Sequence, residues 1–224
     1  MCTGIRFSDD KGNMYFGRNL DWSTGYGQKV VITPRCYNFN SAFLGELSAK
    51  YALIGMGIVQ QEIPLYFDCG NEAGLAIAGL NFPGYAWHKE NLRNYMNLHN
   101  DMPSNVEWKD ASLTPFGSGS MMRGLPGDYY STSRFVRAAY LNTHYPTQST
   151  EEENVSRLFH TLAGVAMIDG AARMSDGMYE KTIYTGGFSS ATKMYYYNTY
   201  EDPAIKSVGL EECVEGNNLW EYGK

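Results

Sequence analysis

The first third of the chain alternates short apolar segments with turn residues, and this pattern constrains the fold more than any other feature. The segments are TGIRFSD, MYFGRNLDW, KVVITPR, YALIGMGIV and GLAIAGLNF. Segments of this length, bounded by Gly, Asn and Asp, are typical of strands. Because the turn DDKGN separates the first two, we expect them to form a hairpin. The pattern therefore predicts a layered sheet.

The second half of the chain adds helices. The segment EEENVSRLFHTLAGVAMI is the clearest, with a capping box formed by Thr150 and Glu153 and an apolar face formed by Val155, Leu158, Phe159, Leu162, Ala163 and Ala166. Further helices are predicted in SRFVRAAYLNTHY and WHKENLRNYMNL, and a closing hairpin and strand in TIYTGGFSS, KMYYYNTY and AIKSVGL. Strands first, then helices and strands mixed, favour an α+β fold over a doubly wound parallel sheet. We expect one domain over residues 1–224.

Charge and composition limit the partners. The formal net charge is -6 and the pI is near 5.2, which argues against nucleic acid or an anionic membrane as the main partner. No apolar run of about 18 residues and no signal-peptide pattern is present, so we expect a cytoplasmic protein. The spacing of the histidines and of Cys2, Cys36, Cys69 and Cys213 matches no metal motif, so we expect neither metal nor cofactor.

The cysteine at position 2 is the first candidate for chemistry. If Met1 is removed, Cys2 carries both a thiol nucleophile and a free α-amine that can act as its base. An ordinary buried cysteine is the alternative. Arg18 and Asp21 lie on the second strand of the predicted hairpin, whose first strand begins at Cys2, so the ends of that hairpin can meet. There the guanidinium would favour a thiolate and the carboxylate would hold the amine. A surface ion pair between Arg18 and Asp21 is an equal alternative on spacing alone.

Five motifs together resemble one known family. They are MCTG, FGRNLDW, NEAGLAIAGLNFPGY, GLPGDYYSTSRFVR and YTGGFSSATKMYYYNTYED, and their order is that of the choloylglycine hydrolase family, in particular of the bile salt hydrolases. The resemblance runs over nearly the whole chain. It implies an N-terminal nucleophile hydrolase with an αββα sandwich. Members cleave a linear amide, in conjugated bile salts or, in the other branch, in penicillin V.

The resemblance also implies roles for five residues. It makes Cys2 the nucleophile, Arg18 and Asp21 the catalytic pair, Asn81 a donor to the oxyanion and Arg134 a second active-site arginine. An amide at the end of an apolar strand can stabilise a developing alkoxide, although a turn cap is the alternative for Asn81. Arg134 lies in the first turn of a helix that we expect Ser131 to cap, where the helix dipole mildly disfavours a cation. A paired functional role explains that placement better than a solvated arginine.

The substrate branch depends on one position. Penicillin V acylases typically carry tyrosine where this chain has Asn81, so the residue favours the bile salt branch. A steroid is a large apolar body, which suits a pocket of aromatic and flexible side chains. We predict that the walls of this pocket are formed by Leu20, Ile58, Leu65 and Phe67. For each of these residues, a place in the hydrophobic core is an equal alternative.

The chain is shorter than the family it resembles. The segment that should separate NFPGYAW from WHKENLRNYMNL is missing, so the two are joined near Ala86 and Trp87. The missing block would supply part of the sandwich and a second active-site asparagine, and we expect the αββα sandwich to be incomplete. Exposed strand edges should then promote a homo-oligomer. Three functions are compatible with these observations: bile salt hydrolysis, penicillin V acylase activity, or a non-catalytic remnant that binds bile salts.

Overall fold

The computed structural model describes residues 2–81, 84–210, 215–216 and 218–223. Met1 and Cys213, both discussed above, lie outside these ranges. In chain order the strands are β1 (Thr3–Ser8), β2 (Met14–Trp22), β3 (Lys29–Thr33), β4 (Asn38–Ser41), β5 (Gly45–Ser48), β6 (Leu53–Gln60), β7 (Ile63–Asn71), β8 (Ala76–Ala78), β9 (Val106–Trp108), β10 (Ala111–Leu113), β11 (Ala172–Arg173), β12 (Tyr179–Ser189), β13 (Met194–Thr199), β14 (Lys206–Gly209) and β15 (Trp220–Tyr222). The helices are α1 (Tyr85–Asn91), α2 (Ser131–His144) and α3 (Glu151–Ala163), with 3-10 turns at Leu92–Tyr95 and Ser120–Met122.

The main strands form two antiparallel sheets. In the described residues the first sheet has the order β1-β2-β12-β13-β14, with β11 also paired to β12, and the second has the order β15-β3-β6-β7-β8. The predicted N-terminal hairpin is confirmed, since Thr3 lies opposite Asn19 and Ser8 opposite Met14. The mixture of antiparallel sheets and helices confirms the α+β class.

Three sequence predictions differ from the structure in detail. Helix α3 ends at Ala163, because Gly164 follows and the chain turns, with Ala166 donating back to the Ala163 carbonyl, so Ala166 is not part of the helical face. The predicted helix WHKENLRNYMNL is α-helical only to Asn91 and then tightens into one 3-10 turn. The strand predicted in GLAIAGLNF is limited to β8. Strand β7 escaped prediction because Pro64 and Asp68 interrupt its apolar pattern.

Two apolar layers hold the structure together. Between the sheets lies a core formed by Leu20, Val30, Ile32, Ala52, Ile54, Met56, Ile183, Tyr184, Phe188, Tyr195, Tyr197 and Leu210. On the other face of the first sheet, a second core joins β1 and β2 to α2 and α3 through Ile5, Phe7, Tyr15, Ala138, Val155, Leu158, Phe159, Leu162 and Val165. Each fully buried aliphatic side chain of this kind stabilises the fold by about 1.5–3 kcal/mol. Burial on both faces of the first sheet therefore fixes the position of β2.

Glycines bring α3 close to the first sheet. A Cβ atom added at Gly17 of β2 would lie 2.8 Å from the Leu158 side chain, and one added at Gly187 of β12 would lie 2.7 Å from it. Only glycine leaves room for this approach. The helix can therefore pack directly against the strand that carries Arg18 and Asp21.

Among the described residues, no helix covers the second sheet in the same way. In the described part of the chain the main helix–sheet packing joins α2 to β1 and α3 to β2 and β12, all in the first sheet. On the second sheet, Leu75 and Ile77 at its outer strand are 69% and 66% exposed. Three of the four layers of the αββα sandwich are thus evident in the described ranges, where the sandwich is incomplete as expected. None of the helices among the described residues has the length and apolar character that a membrane crossing requires.

Candidate active site

Cys2 lies at the start of β1, an outer strand of the first sheet. It is partly buried, and it packs against the core between the two sheets. Two cavities share Cys2 as a lining residue. One, of about 310 Å³, runs along β1 and α2 and is lined by Gly4, Leu80, Tyr85, Arg134 and Phe135 among others. The other, of about 270 Å³, opens between the two sheets beside β2. The thiol is therefore open to a substrate on two sides.

Strand β2 presents its functional residues to both of its faces. Because side chains alternate along a strand, Arg18 and Leu20 point into the interface between the sheets, whereas Gly17, Asn19 and Asp21 face the helices. Arg18 and Asp21 are each 1% exposed. The alternative of a surface ion pair between them is therefore excluded. Each has a different buried partner.

Asp21 is held on the helix side by two donors. The Thr182 hydroxyl donates to Asp21 Oδ1 at 2.7 Å, and Arg134 Nη1 donates to Asp21 Oδ2 at 2.6 Å. The backbone amide of Met167 donates to the Thr182 oxygen at 2.7 Å, which leaves the hydroxyl hydrogen free to point at the carboxylate. Burial raises the pKa of Asp21, and the positive charge of Arg134 and the Thr182 hydrogen bond counteract that shift.

Arg134 occupies the first turn of α2, as predicted, but Ser131 does not cap that helix. Tyr130 is the N-cap residue and Ser131 is the first helical residue, with its hydroxyl 3.0 Å from His88 Nε2. Arg134 also donates to the Tyr129 carbonyl at 3.1 Å and lies 3.5 Å from the Thr3 hydroxyl, next to Cys2. It is 2% exposed, so a solvated arginine is excluded.

Arg18 is held on the opposite side of β2. Its Nη1 atom lies 3.6 Å from Asp68 Oδ2 and donates to the Phe67 carbonyl and to the Tyr184 hydroxyl, both at 3.3 Å. Burial alone would lower the pKa of Arg18, but Tyr184, Asp68 and Cys2 raise it above its ordinary value. Arg18 is therefore a permanent buried cation beside the thiol.

The remaining predicted residues separate into two groups. Asn81 follows β8, is exposed, and lines the cavity between the sheets together with Cys2, Arg18 and Asp21, and Leu20 and Phe67 line the same cavity. Ile58 and Leu65 face each other across β6 and β7, and neither lines either of the two cavities described above. Leu65 is 43% exposed. Their role as pocket walls stays a prediction without support from the geometry.

Sequence reasoning missed several side chains around Cys2. Trp22 and Tyr26 line the cavity between the sheets, and the Tyr26 ring lies 5.2 Å from the Phe67 ring. Asp68 also escaped notice, although a charged residue inside the apolar strand segment IPLYFDCG is itself a signal of a buried charge with a partner. In the described part of the chain no group of three His, Cys, Asp or Glu side chains is placed to hold a metal ion.

The fold is that of the N-terminal nucleophile hydrolases. A model of the linear amide C–N hydrolases, choloylglycine hydrolase family, matches residues 2–86 and 83–217. The chain belongs to this family. The predicted family membership is therefore confirmed. The prediction that the chain is an amidohydrolase is confirmed with it.

Individual relatives agree with this membership. The chain is 40% identical to the bile salt hydrolase/transferase of Bifidobacterium longum subsp. longum over an alignment of 304 residues that covers 95% of this chain and 96% of that protein. It is 34% identical to the conjugated bile acid hydrolase of Lactobacillus gasseri over 316 residues, with 99% of this chain and 100% of that protein covered.

Solved structures show the same fold. A variant of the conjugated bile acid hydrolase of Clostridium perfringens superposes with a TM-score of 0.90 at 24% identity, covering 100% of this chain and 97% of that one. The penicillin V acylase of Agrobacterium tumefaciens gives a TM-score of 0.66 at 14% identity, covering 99% of this chain and 90% of that one. Both are similar to this chain in architecture.

Proposed function

We propose that this chain hydrolyses the amide bond of glycine- or taurine-conjugated bile salts with Cys2 as nucleophile. The observation that carries the proposal is the cavity that Cys2 shares with Arg18, Asp21 and Asn81. It occurs in a chain whose relatives at 34% and 40% identity are named for bile salt hydrolysis. The apolar and aromatic lining from Leu20, Trp22, Tyr26 and Phe67 suits a steroid.

The reaction follows from the groups around the thiol. Once Met1 is removed, the α-amine of Cys2 takes the thiol proton, and the sulfur attacks the amide carbonyl carbon. Arg18 stabilises the thiolate through its charge, and Asp21 holds the protonated amine on the other side of β2. The ammonium group then gives its proton to the leaving nitrogen, so that glycine or taurine departs and a thioester remains. Water, activated by the same amine, releases the bile acid.

The tetrahedral intermediate carries a negative oxygen that needs donors. Asn81 supplies one amide donor at the edge of the cavity. The family's second asparagine has no counterpart in this chain, and losing one such donor costs about 100- to 1,000-fold in rate. The proposed activity is therefore slow compared with that of a site with both donors.

The shortened form of the chain is part of the proposal. We infer one domain over residues 1–224 from which a family block is missing near residues 86–87. This inference is supported by two matched segments that meet at residues 83–86 and by alignments of 304 and 316 residues for a chain of 224. Homo-oligomerisation and a cytoplasmic location stay predictions.

Two other functions compete with this one. Penicillin V acylase activity is favoured by the likeness to an acylase of that name, which extends to the fold only. A non-catalytic remnant that binds bile salts is favoured by the exposed outer strand of the second sheet and by the missing oxyanion donor. Assaying penicillin V beside glycocholate and taurocholate distinguishes penicillin V acylase activity from bile salt hydrolysis. Calorimetric binding of a bile salt without turnover would identify the non-catalytic remnant.

The deciding experiment measures glycine or taurine released from conjugated bile salts, together with the intact mass of the protein. We expect loss of Met1 and release that disappears in Cys2→Ala. The control is Cys36→Ala, which removes an exposed thiol outside the site and should leave the rate unchanged. Full release by Cys2→Ala, or none by the unaltered chain, would contradict the proposal.

A further inference from the structure

A buried carboxylate joins the two sheets directly behind Arg18. Asp68 on β7 of the second sheet is 4% exposed. Its Oδ1 atom accepts from the Tyr195 hydroxyl at 2.5 Å, and its Oδ2 atom accepts a short hydrogen bond from the Tyr184 hydroxyl. Both tyrosines lie on the first sheet, on β13 and β12. The carboxylate therefore has donors on both oxygens before Arg18 is considered.

Arg18 completes this network from β2. The Tyr184 oxygen accepts from Arg18 Nη1 while its hydrogen points to Asp68, so the hydrogen bonds run in one direction from guanidinium to hydroxyl to carboxylate. Arg18 Nη1 also reaches the Phe67 carbonyl, which in addition accepts from the Gly79 amide at 2.9 Å. Phe67 is the extra residue of a β-bulge, since Met56 pairs with Asp68 but Gly57 pairs with Tyr66. The bulge thus fixes Arg18 and the segment leading to Asn81 at one point.

The charges explain why this network is needed. A guanidinium that is 1% exposed is costly to bury unless a counter-charge and hydrogen bonds compensate for its lost hydration. Only Nη1 uses the network, because Arg18 Nε and Nη2 have no hydrogen-bond partner among the described residues. The three N–H groups on these two buried nitrogens therefore stay unpaired among the described residues, although Arg18 lines the cavity that it shares with Cys2.

We infer that Asp68 is a positioning residue of this active site: through Tyr184 and through a direct ion pair at 3.6 Å it holds the Arg18 guanidinium beside Cys2 and balances its charge, while Tyr195 fixes its other oxygen. The inference rests on the proposed function for its catalytic consequence. It goes beyond that function because Asp68 and the two tyrosines line neither of the two cavities around Cys2 and act on the site through Arg18. Other charged or titratable groups lining the two cavities around Cys2 are Arg6, Asp21, Tyr26, Tyr66, Tyr85 and Arg134.

The test measures the pH dependence of Cys2 alkylation by iodoacetamide, resolved from the other cysteines by peptide mass spectrometry. In Asp68→Asn, Arg18 loses the negative charge that offsets it, so we expect the alkylation profile to move to lower pH. In Tyr184→Phe, the Asp68 charge stays but the hydroxyl between it and Arg18 is gone. The guanidinium should then move towards Asp68 and away from Cys2, and the profile should move to higher pH. Opposite shifts are a signature that a merely structural role would not produce.

The matched control is Tyr197→Phe. Tyr197 lies on the same strand and face as Tyr195, with ring centroids 6.5 Å apart, and makes no contact with Asp68 among the described hydrogen bonds. We expect its profile to equal that of the unaltered chain. In the bile salt assay, Asp68→Asn should lower kcat with little change in KM, because a thiolate of lower pKa is a weaker nucleophile and Asp68 lines neither cavity around Cys2.

The outcomes separate the inference from the proposed function. Folded variants whose alkylation profiles and kcat match the unaltered chain would overturn the inference, even if their melting temperatures fall. If Asp68→Asn does not fold, Tyr184→Phe decides by the direction of its own shift. If the unaltered chain releases no glycine or taurine, the proposed function fails, and the alkylation profiles still test the position of Arg18.

Discussion

Two cysteines of this chain differ sharply in their surroundings, and the difference is testable residue by residue. Burial and the nearby Asp68 charge raise the pKa of Cys69 to about 12. At about pH 8 only about one Cys69 thiol in ten thousand is then ionised. Cys36, in contrast, is exposed. Because the thiolate is the reactive form, we expect iodoacetamide to label Cys36 readily in the folded protein and to leave Cys69 unmodified.

The measurement is the labelled fraction of each cysteine peptide over time. The control is the same reaction in urea, where Cys69 should react like Cys36 because its burial is lost. Comparable labelling of Cys69 and Cys36 in the folded chain would show that β7 opens to solvent.

At this scale the sequence predicts what is local and misses what is distant. The hairpin that brings Cys2 near Arg18 and Asp21 depends on one turn, DDKGN, and is confirmed by the pairing of Thr3 with Asn19. The partners that fix Arg18 come from far along the chain, since Tyr184 and Tyr195 lie 116 and 127 residues from Asp68. The residue pattern of a short segment cannot predict contacts between residues so far apart in the sequence.

At the scale of elements, one carboxylate anchors α3 to the first sheet. Glu151 is the first residue of α3, and it accepts hydrogen bonds from Tyr15 on β2 at 2.6 Å and from Tyr196 on β13 at 3.0 Å. The hydroxyls of Ser189 and Thr192 also donate to it, at 3.1 and 2.8 Å. Desolvation, the Glu151 charge and the hydrogen bond to Glu151 raise the pKa of Tyr196 to about 12, so the Tyr196 hydroxyl stays a donor at neutral pH.

Removing this anchor should destabilise the fold. We expect Glu151→Ala to lower the free energy of unfolding by about 1–3 kcal/mol, because four partly buried hydroxyls lose their acceptor. Urea denaturation monitored by fluorescence measures the change. The matched control is Glu152→Ala, an exposed residue in the same turn that should change stability by about 0.5 kcal/mol or less. Equal effects of the two variants would show that helix charge, not the anchor, is responsible.

The sequence predicted α3 and its cap but not its attachment. The capping box of Thr150 and Glu153 is confirmed, because both of its hydrogen bonds form. It was predictable because its pattern occupies only four consecutive residues. The four donors to Glu151 come from two separate parts of the chain, β2 and the β12–β13 hairpin. The glycines at 17 and 187 that admit Leu158 are likewise meaningful only once β2 and β12 are paired.

At the scale of the whole molecule, the exposed side of the second sheet determines whether copies of the chain should associate. Ile77 on the outer strand β8 is 66% exposed, and an open apolar edge favours association. We expect light scattering after gel filtration to show an oligomer, and Ile77→Lys to shift it towards the monomer. Met178→Lys, at a residue 48% exposed outside this sheet, is the control and should leave the size unchanged. A stable monomer with a cooperative melt would contradict the prediction.

The architecture at this scale was predictable because motif order identifies a family, and the family has one fold. The incomplete sandwich was predictable for the same reason, since the motifs before Ala86 and after Trp87 are adjacent here. The packing around the second sheet was not predictable. It depends on contacts such as that of the Tyr37 hydroxyl with the Glu62 carbonyl at 2.8 Å, which no motif encodes.

The two-faced strand β2 limits how this chain can change in evolution. Arg18 faces the second sheet and Asp21 faces the helices, with an odd number of steps between them. Inserting or deleting one residue between them would place both side chains on the same face, and one would lose its buried partner. Whole segments can be gained or lost at surface connections, which tolerate changes of length. Within residues 18–21, an insertion or deletion of a single residue would therefore separate Arg18 or Asp21 from its buried partner.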